Sequence, residues 1–256
     1  MPPGYRRAAL CLGAAYVLLT LIVALGWLRP LDLSLSRAAR ADLPCWALNA
    51  GEAASVPLAG ELSLLYVGTL ALLCLRHGRS LLGGWLVGLL AAIVAVEFVF
   101  KFAFYQPGPG ALLNGLERPD CFRPAYLAYP LISLTVPNTF PSGHAARTAY
   151  FGLLLAALLG ARWPHLARPI RFAIAALVVL LGISRVVVAW HWTSDVLAGL
   201  LLGAAAACLA LALADGFRWL RSKPRCPPML GGSRTPQHWG AGGRSEDGRA
   251  NREERV

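Results

Sequence analysis

Six long apolar stretches dominate this chain: Ala8–Leu28, Gly60–Leu75, Leu81–Tyr105, His144–Gly160, Pro169–Val188 and Thr193–Ala214. A helix needs about 20 apolar residues to cross a bilayer. Inside lipid a single segment can satisfy its own backbone hydrogen bonds only as a helix. The sequence therefore predicts an all-α polytopic membrane protein, a bundle of six transmembrane helices over residues 1–221. Composition agrees, since 57% of the 256 residues are hydrophobic and 14% charged, against about 25% charged in soluble domains. The first stretch follows Arg6 and Arg7 like a secretion signal, but it is too long for one and no clear A-x-A site follows, so it reads as an uncleaved span. Residues 222–256 are rich in Pro, Gly and charge, with little apolar content, and read as a disordered basic tail.

Six crossings put both termini on one side. Arg6, Arg7, Arg76, Arg79, Arg162, Arg168, Arg171 and the basic tail from Arg218 to Arg255 all fall on that side. The positive-inside rule makes it cytoplasmic. The net charge of +11 then reflects topology and attraction to anionic lipid. No aromatic platform or known module accompanies it, so a nucleic-acid partner is not expected. The six cysteines have no C-x-x-C spacing. Cys11, Cys74 and Cys208 read as small apolar residues within spans. Cys45 and Cys121 fall in outer loops, where an oxidising compartment permits a disulfide.

Ionisable residues within spans are expensive and point to function. In the six-span layout they gather at the outer face. Lys101 ends the third span, Ser142 and His144 open the fourth, Arg185 ends the fifth, and His191 and Asp195 open the sixth. Two outer loops adjoin this level. Arg29–Leu58 interleaves leucines with charges and suits a partly interfacial position. Gln106–Pro141 is long and rich in Pro and Gly, which marks a functional loop.

These residue types suit phosphoryl transfer. Lys101 and Arg185 can hold phosphate oxygens. Ser142 is a good N-cap, and Gly143 lets the start of a helix, with its free N–H groups, come close to an anion. His191 and Asp195 are four apart, so one helical turn brings the carboxylate beneath the imidazole.

Pro141-Ser142-Gly143-His144 and Ser184-Arg185-x5-His191-x3-Asp195 resemble the second and third signature motifs of the type 2 phosphatidic acid phosphatase superfamily, membrane branch. Its first motif, Lys-x6-Arg-Pro, is met in register by Lys101 and Gly108-Pro109, with Gly in place of Arg. The resemblance implies a histidine phosphatase core that works without metal or other cofactor. His191 is then the nucleophile, Asp195 its partner on the other ring nitrogen and His144 the acid for the leaving oxygen. Lys101, Ser142, Gly143 and Arg185 hold the phosphate oxygens.

Gly108 leaves three readings: a weaker grip, an inactive lipid-binding relative, or a substitute arginine. Arg147, three residues after His144 on the same helical face, is the best substitute; Arg118 and Arg123 are weaker ones. Against this, Arg147 can simply pair with Glu97 or reach to the interface. Glu97 itself, four before Lys101, either orients that lysine or faces a wet bundle interior. Trp190 and Trp192 read first as interfacial belt aromatics and otherwise as a wall for acyl chains. His77, His165 and His238 read as polar caps.

The function expected is hydrolysis of a lipid phosphate or diphosphate at the outer face of a bacterial inner membrane. Candidate substrates are phosphatidic acid, phosphatidylglycerol phosphate and a polyprenyl diphosphate. The alternatives are transfer of the phosphoryl group to an alcohol, and lipid binding without catalysis. The partners expected are the lipid substrate and the membrane; the oligomeric state is open.

Overall fold

The computed structural model describes residues 3–40, 43–54, 56, 60–109, 121 and 137–213. The tail 222–256, Arg118 and Arg123 lie outside them. The described chain is all-α: α1 (Pro3–Ala24), α2 (Arg29–Arg40), α3 (Cys45–Ala53), α4 (Gly60–Arg76), α5 (Ser80–Ala103), α6 (Gly143–Arg162), a 3-10 turn (Pro164–Leu166), α7 (Ala167–Val187) and α8 (Thr193–Leu213). Among the described residues five helices are long and apolar enough to cross a membrane: α1, α5, α6, α7 with its preceding turn, and α8. α4 is apolar but shorter. Leu10, Leu18, Leu21, Leu65, Val99, Phe172 and Leu180 stand exposed. Surfaces this apolar belong against lipid.

α8 is the central helix, packing most extensively on α6 and α1. Two glycines on its α6-facing side make this possible. A Cβ at Gly199 would run into the Ser142 carbonyl, and one at Gly203 into the Ala146 carbonyl. Small residues four apart let two membrane helices touch backbone to backbone. Beside this contact Leu86, Leu90, Ile93, Tyr150, Leu154, Ala207 and Leu211 form a core joining α5, α6 and α8. The buried Tyr150 hydroxyl donates to the Leu86 carbonyl at 2.9 Å, which satisfies a polar atom that would otherwise be costly there.

The segment Arg29–Leu58, read from sequence as a loop, carries two helices. In α2, Leu31 and Leu35 stand exposed while Asp32 and Ser36 are buried, so this helix turns a polar face inward. α3 is tied to Cys121, in the Gln106–Pro141 segment, by a Cys45–Cys121 disulfide, Cα to Cα 6.0 Å. Asn49 Nδ2 also donates to the Cys121 carbonyl at 3.3 Å.

The end of α7 aims the chain toward α8. Ala189 has φ 57°, Ala189 N–H bonds the Val186 carbonyl at 2.9 Å and Trp190 N–H the Arg185 carbonyl at 3.1 Å. This is a Schellman ending. α1 ends in the same pattern with Gly26 at the left-handed position. α7 does so with alanine, a conformation that costs an L-residue about 1–2 kcal/mol. His191 N–H closes the turn on the same Arg185 carbonyl at 3.3 Å.

Candidate active site

The end of α5, the start of α6, the end of α7 and the start of α8 meet at one end of the bundle. A backbone bond from Ser142 N–H to the Asp195 carbonyl, 3.0 Å, joins the heads of α6 and α8. Ser142 caps α6, its Oγ accepting from Ala145 N–H at 3.4 Å.

Asp195 is fully buried and sits in the first turn of α8. Its Oδ2 accepts from Trp192 N–H at 3.0 Å, the return bond of a capping box. The same Oδ2 lies 3.5 Å from His191 Nδ1. That is the outer limit for a hydrogen bond, and Nδ1 is buried without a well-aligned partner. Such bonds are often long before substrate binds and tighten with it.

His144 lies within electrostatic reach of Arg147, Arg185, His191 and Lys101. Residues far apart in sequence thus bring three cations and a second histidine within reach of His144. The cations are themselves held. Lys101 Nζ donates to Glu97 Oε1 at 2.6 Å, and Arg147 Nη1 to Glu97 Oε2 at 2.7 Å. Glu97 therefore orients Lys101 and also takes Arg147, whose buried Nε has no hydrogen-bond partner among the described residues. The Glu97 carboxylate packs on Gly143 so closely that a Cβ there would collide with it. Arg185 is held from α3: Nη2 donates to the Gly51 carbonyl at 2.7 Å, and Nη1 lies 3.3 Å from Glu52 Oε2. At Gly108 a Cβ would come within 2.8 Å of Thr139 Cγ2, so Thr139 fills the space beside the glycine.

Among the described residues no group of three or more His, Cys, Asp or Glu side chains is gathered as a metal cage. The family model for the PAP2 superfamily matches residues 82–219. The chain belongs to the PAP2 superfamily. Phospholipid phosphatase 2 of Rattus norvegicus is 36% identical over 103 residues, which is 38% of this chain and 37% of the rat protein. Phospholipid phosphatase 1 of Mus musculus is 41% identical over 86 residues, 31% of this chain and 30% of the mouse protein. The chain thus matches about a third of the length of these curated relatives. The crystal structure of the first transmembrane PAP2 type phosphatidylglycerolphosphate phosphatase from Bacillus subtilis superposes with a TM-score of 0.59, covering 81% of this chain and 96% of that one at 18% identity. That likeness is one of fold.

Four PAP2 site neighbours escaped the sequence reading. Asp32, from α2, accepts from Ser194 N–H at 2.9 Å and from Ser194 Oγ at 2.6 Å. Gln106 Nε2 donates to Asp195 Oδ1 at 2.8 Å. Gly51 and Glu52 hold Arg185, and Glu52 also accepts from Trp190 Nε1 at 2.9 Å. The two tryptophans depart from the belt reading: Trp192 is buried with its Nε1 on the Pro107 carbonyl at 2.9 Å, and Trp190 points to Glu52. A carboxylate at the level of the cationic cluster, as Asp32 and Glu52 are, was the signal available in the sequence.

Proposed function

We propose that this PAP2 protein is a lipid phosphate phosphatase that acts through a phosphohistidine on His191. The observation that carries the reading is that Lys101, Arg147, Arg185 and His191 all lie within electrostatic reach of His144, with Asp195 behind the His191 ring. Cations around a water-poor pocket stabilise the charge that develops on phosphoryl oxygens.

In the first step the free ring nitrogen of His191 attacks phosphorus and the P–O bond to the lipid breaks. His144 gives its proton to the departing oxygen. Asp195 accepts from the Nδ1 side of His191, fixing the tautomer and balancing the positive ring. In the second step His144 takes a proton from water, the water oxygen attacks phosphorus and the P–N bond breaks. Phosphate leaves, and both histidines return to their starting states. Lys101, Arg185, Ser142 and the N–H groups at Gly143 are the proposed phosphate ligands. Arg147, with a free buried Nε–H, supplies part of what Gly108 cannot. The chemistry needs neither a metal nor another cofactor.

In this reading α4 completes six crossings, both termini are cytoplasmic and the site opens at the outer face of a bacterial inner membrane. The lipid is phosphatidic acid, phosphatidylglycerol phosphate or a polyprenyl diphosphate. Gly108, backed by Thr139, favours one alternative, a relative that binds lipid and turns it over poorly.

The test is phosphate release by the purified protein in detergent with chelator present, against a panel of the three lipids. Release that disappears in His191→Ala supports the reading. Release unaffected by that substitution removes it, and lipid binding without release favours the alternative.

A further inference from the structure

Gln106 falls at an unspecified position between Lys101 and Gly108 of the first motif, yet it is the side chain that holds the other oxygen of Asp195. Its Nε2 donates to Asp195 Oδ1 at 2.8 Å and lies 3.3 Å from Ser194 Oγ. The orientation of the amide is forced, because an ionised carboxylate only accepts. The Ser194 hydroxyl spends its proton on Asp32 Oδ2 at 2.6 Å, so its lone pairs face the glutamine. The donors run in one direction, from Gln106 to Asp195 and Ser194, and from Ser194 to Asp32.

The backbone of Gln106 is equally fixed. Its N–H donates to Asn138 Oδ1 at 2.8 Å. Its carbonyl accepts from Thr139 N–H at 2.9 Å and Thr139 Oγ1 at 3.2 Å. Asn138 in turn donates from Nδ2 to the Lys101 carbonyl at 3.0 Å, and the next residue, Pro107, receives the Trp192 indole N–H. One stapled segment therefore links the end of α5, where Lys101 sits, to the start of α8, where Asp195 sits. His191 Nδ1 has only a long contact with Asp195, so the place of that carboxylate decides whether the contact closes.

We propose that Gln106 is a positioning residue for the Asp195–His191 pair, acting on phosphoryl transfer through Asp195 alone. The inference rests on the phosphatase reading of the site. Glutamine fits the task by its chemistry. It donates without adding a charge that would neutralise Asp195, and a carboxylate at the same place would repel it. Asn is one methylene shorter and does not span the 2.8 Å contact from the same backbone.

The experiment is a double-mutant cycle with phosphate release as readout: wild type, Gln106→Ala, Asp195→Asn and both together, with His191→Ala as reference. Residues that act as a unit are non-additive. Gln106→Ala is expected to lower kcat about 10- to 100-fold and leave KM within about threefold, since the phosphate ligands are untouched. In the Asp195→Asn background the same change is expected to cost less than about twofold. Gln106→Glu, nearly identical in volume, repeats the comparison should the alanine variant fail to fold, and is expected to lose kcat at least as far. Unchanged kcat in the folded variants overturns the inference, as does an equal loss with and without Asp195, which would make Gln106 a staple of the loop only. Release that needs His191 but not Gln106 overturns this inference alone. No release by the wild type, or release indifferent to His191→Ala, overturns the phosphatase reading and this inference with it.

Discussion

Asp32 holds Ser194 twice, accepting from its backbone N–H at 2.9 Å and from its hydroxyl at 2.6 Å. A carboxylate from α2 thereby caps α8 across 162 residues of chain. Burial pushes the Asp32 carboxyl above its ordinary value; the two Ser194 bonds pull it partly back, and the nearby Asp195 charge adds to the rise. A carboxyl raised on folding stabilises the fold fully below the ordinary carboxylate range and stops doing so as pH climbs through its raised value. Wild-type protein should therefore lose thermal stability as pH rises from about 4 toward neutrality. Asp32→Asn keeps an acceptor for Ser194 N–H and should flatten that slope. Parallel melting curves for the two proteins would show that Asp32 is not its source. Asp32→Ala, which removes both the cap and the titrating group, should cost about 1 kcal/mol at acid pH and less as the pH rises.

Glu97 is shared by two cations, Lys101 at 2.6 Å and Arg147 at 2.7 Å. Removing one partner from a buried ion pair leaves an uncompensated charge and costs about 3–5 kcal/mol. Glu97→Gln should lose stability of that order in detergent melts. Glu97→Gln with Arg147→Met should recover part of it while activity stays low. Arg147→Ala should reduce phosphate release far more than Arg118→Ala or Arg123→Ala. Unchanged release in Arg147→Ala would end the case for Arg147 as a phosphate ligand and leave it as Glu97's partner only.

α3 holds Arg185 through Gly51 and Glu52, and the Cys45–Cys121 bond holds α3 across 76 residues. A cross-link of this kind contributes about 2–4 kcal/mol. Reductant should lower the melting temperature of the wild type and leave Cys45→Ser unchanged. KM for the lipid phosphate should rise together with the loss, because the arginine's anchor is loosened. A lower melting temperature with KM intact would separate the tether from the site.

His144 as general acid has a signature beyond loss of rate. His144→Ala should lower turnover of an alkyl phosphate about 10²- to 10⁴-fold. It should do much less to an aryl phosphate, whose leaving oxygen departs without a proton. Equal losses on both substrates would assign His144 to holding phosphate instead.

Five of the six expected spans were legible because bilayer thickness sets their length, while Gly60–Arg76 is a shorter apolar helix; the gathering of Lys101, Arg185 and His191 near His144 was expected from the order of these stretches. The helices of Arg29–Leu58 were not. Leu31, Leu33 and Leu35 alternate along the chain, which hides the true helical faces: Leu31 with Leu35 outward, Asp32 with Ser36 inward. Gln106 and Asp32 act on α8 across long chain separations, and no local pattern announces such a contact. Glu97 was paired with Lys101 in sequence by its four-residue spacing. Its bond to Arg147 was one of the sequence's open alternatives, and choosing it needed the packing of α5 on α6, which depends on helix rotation.

Gly199 and Gly203 press α8 onto the backbone of α6; His144 stands in the first turn of α6 and His191 two residues before α8 begins. The approach of the heads of α6 and α8 is therefore gauged at these two glycines by main chain, with no side chain on α8 there to act as a spacer. A single added methyl group would work as a shim, levering the two imidazoles apart while leaving both helices intact.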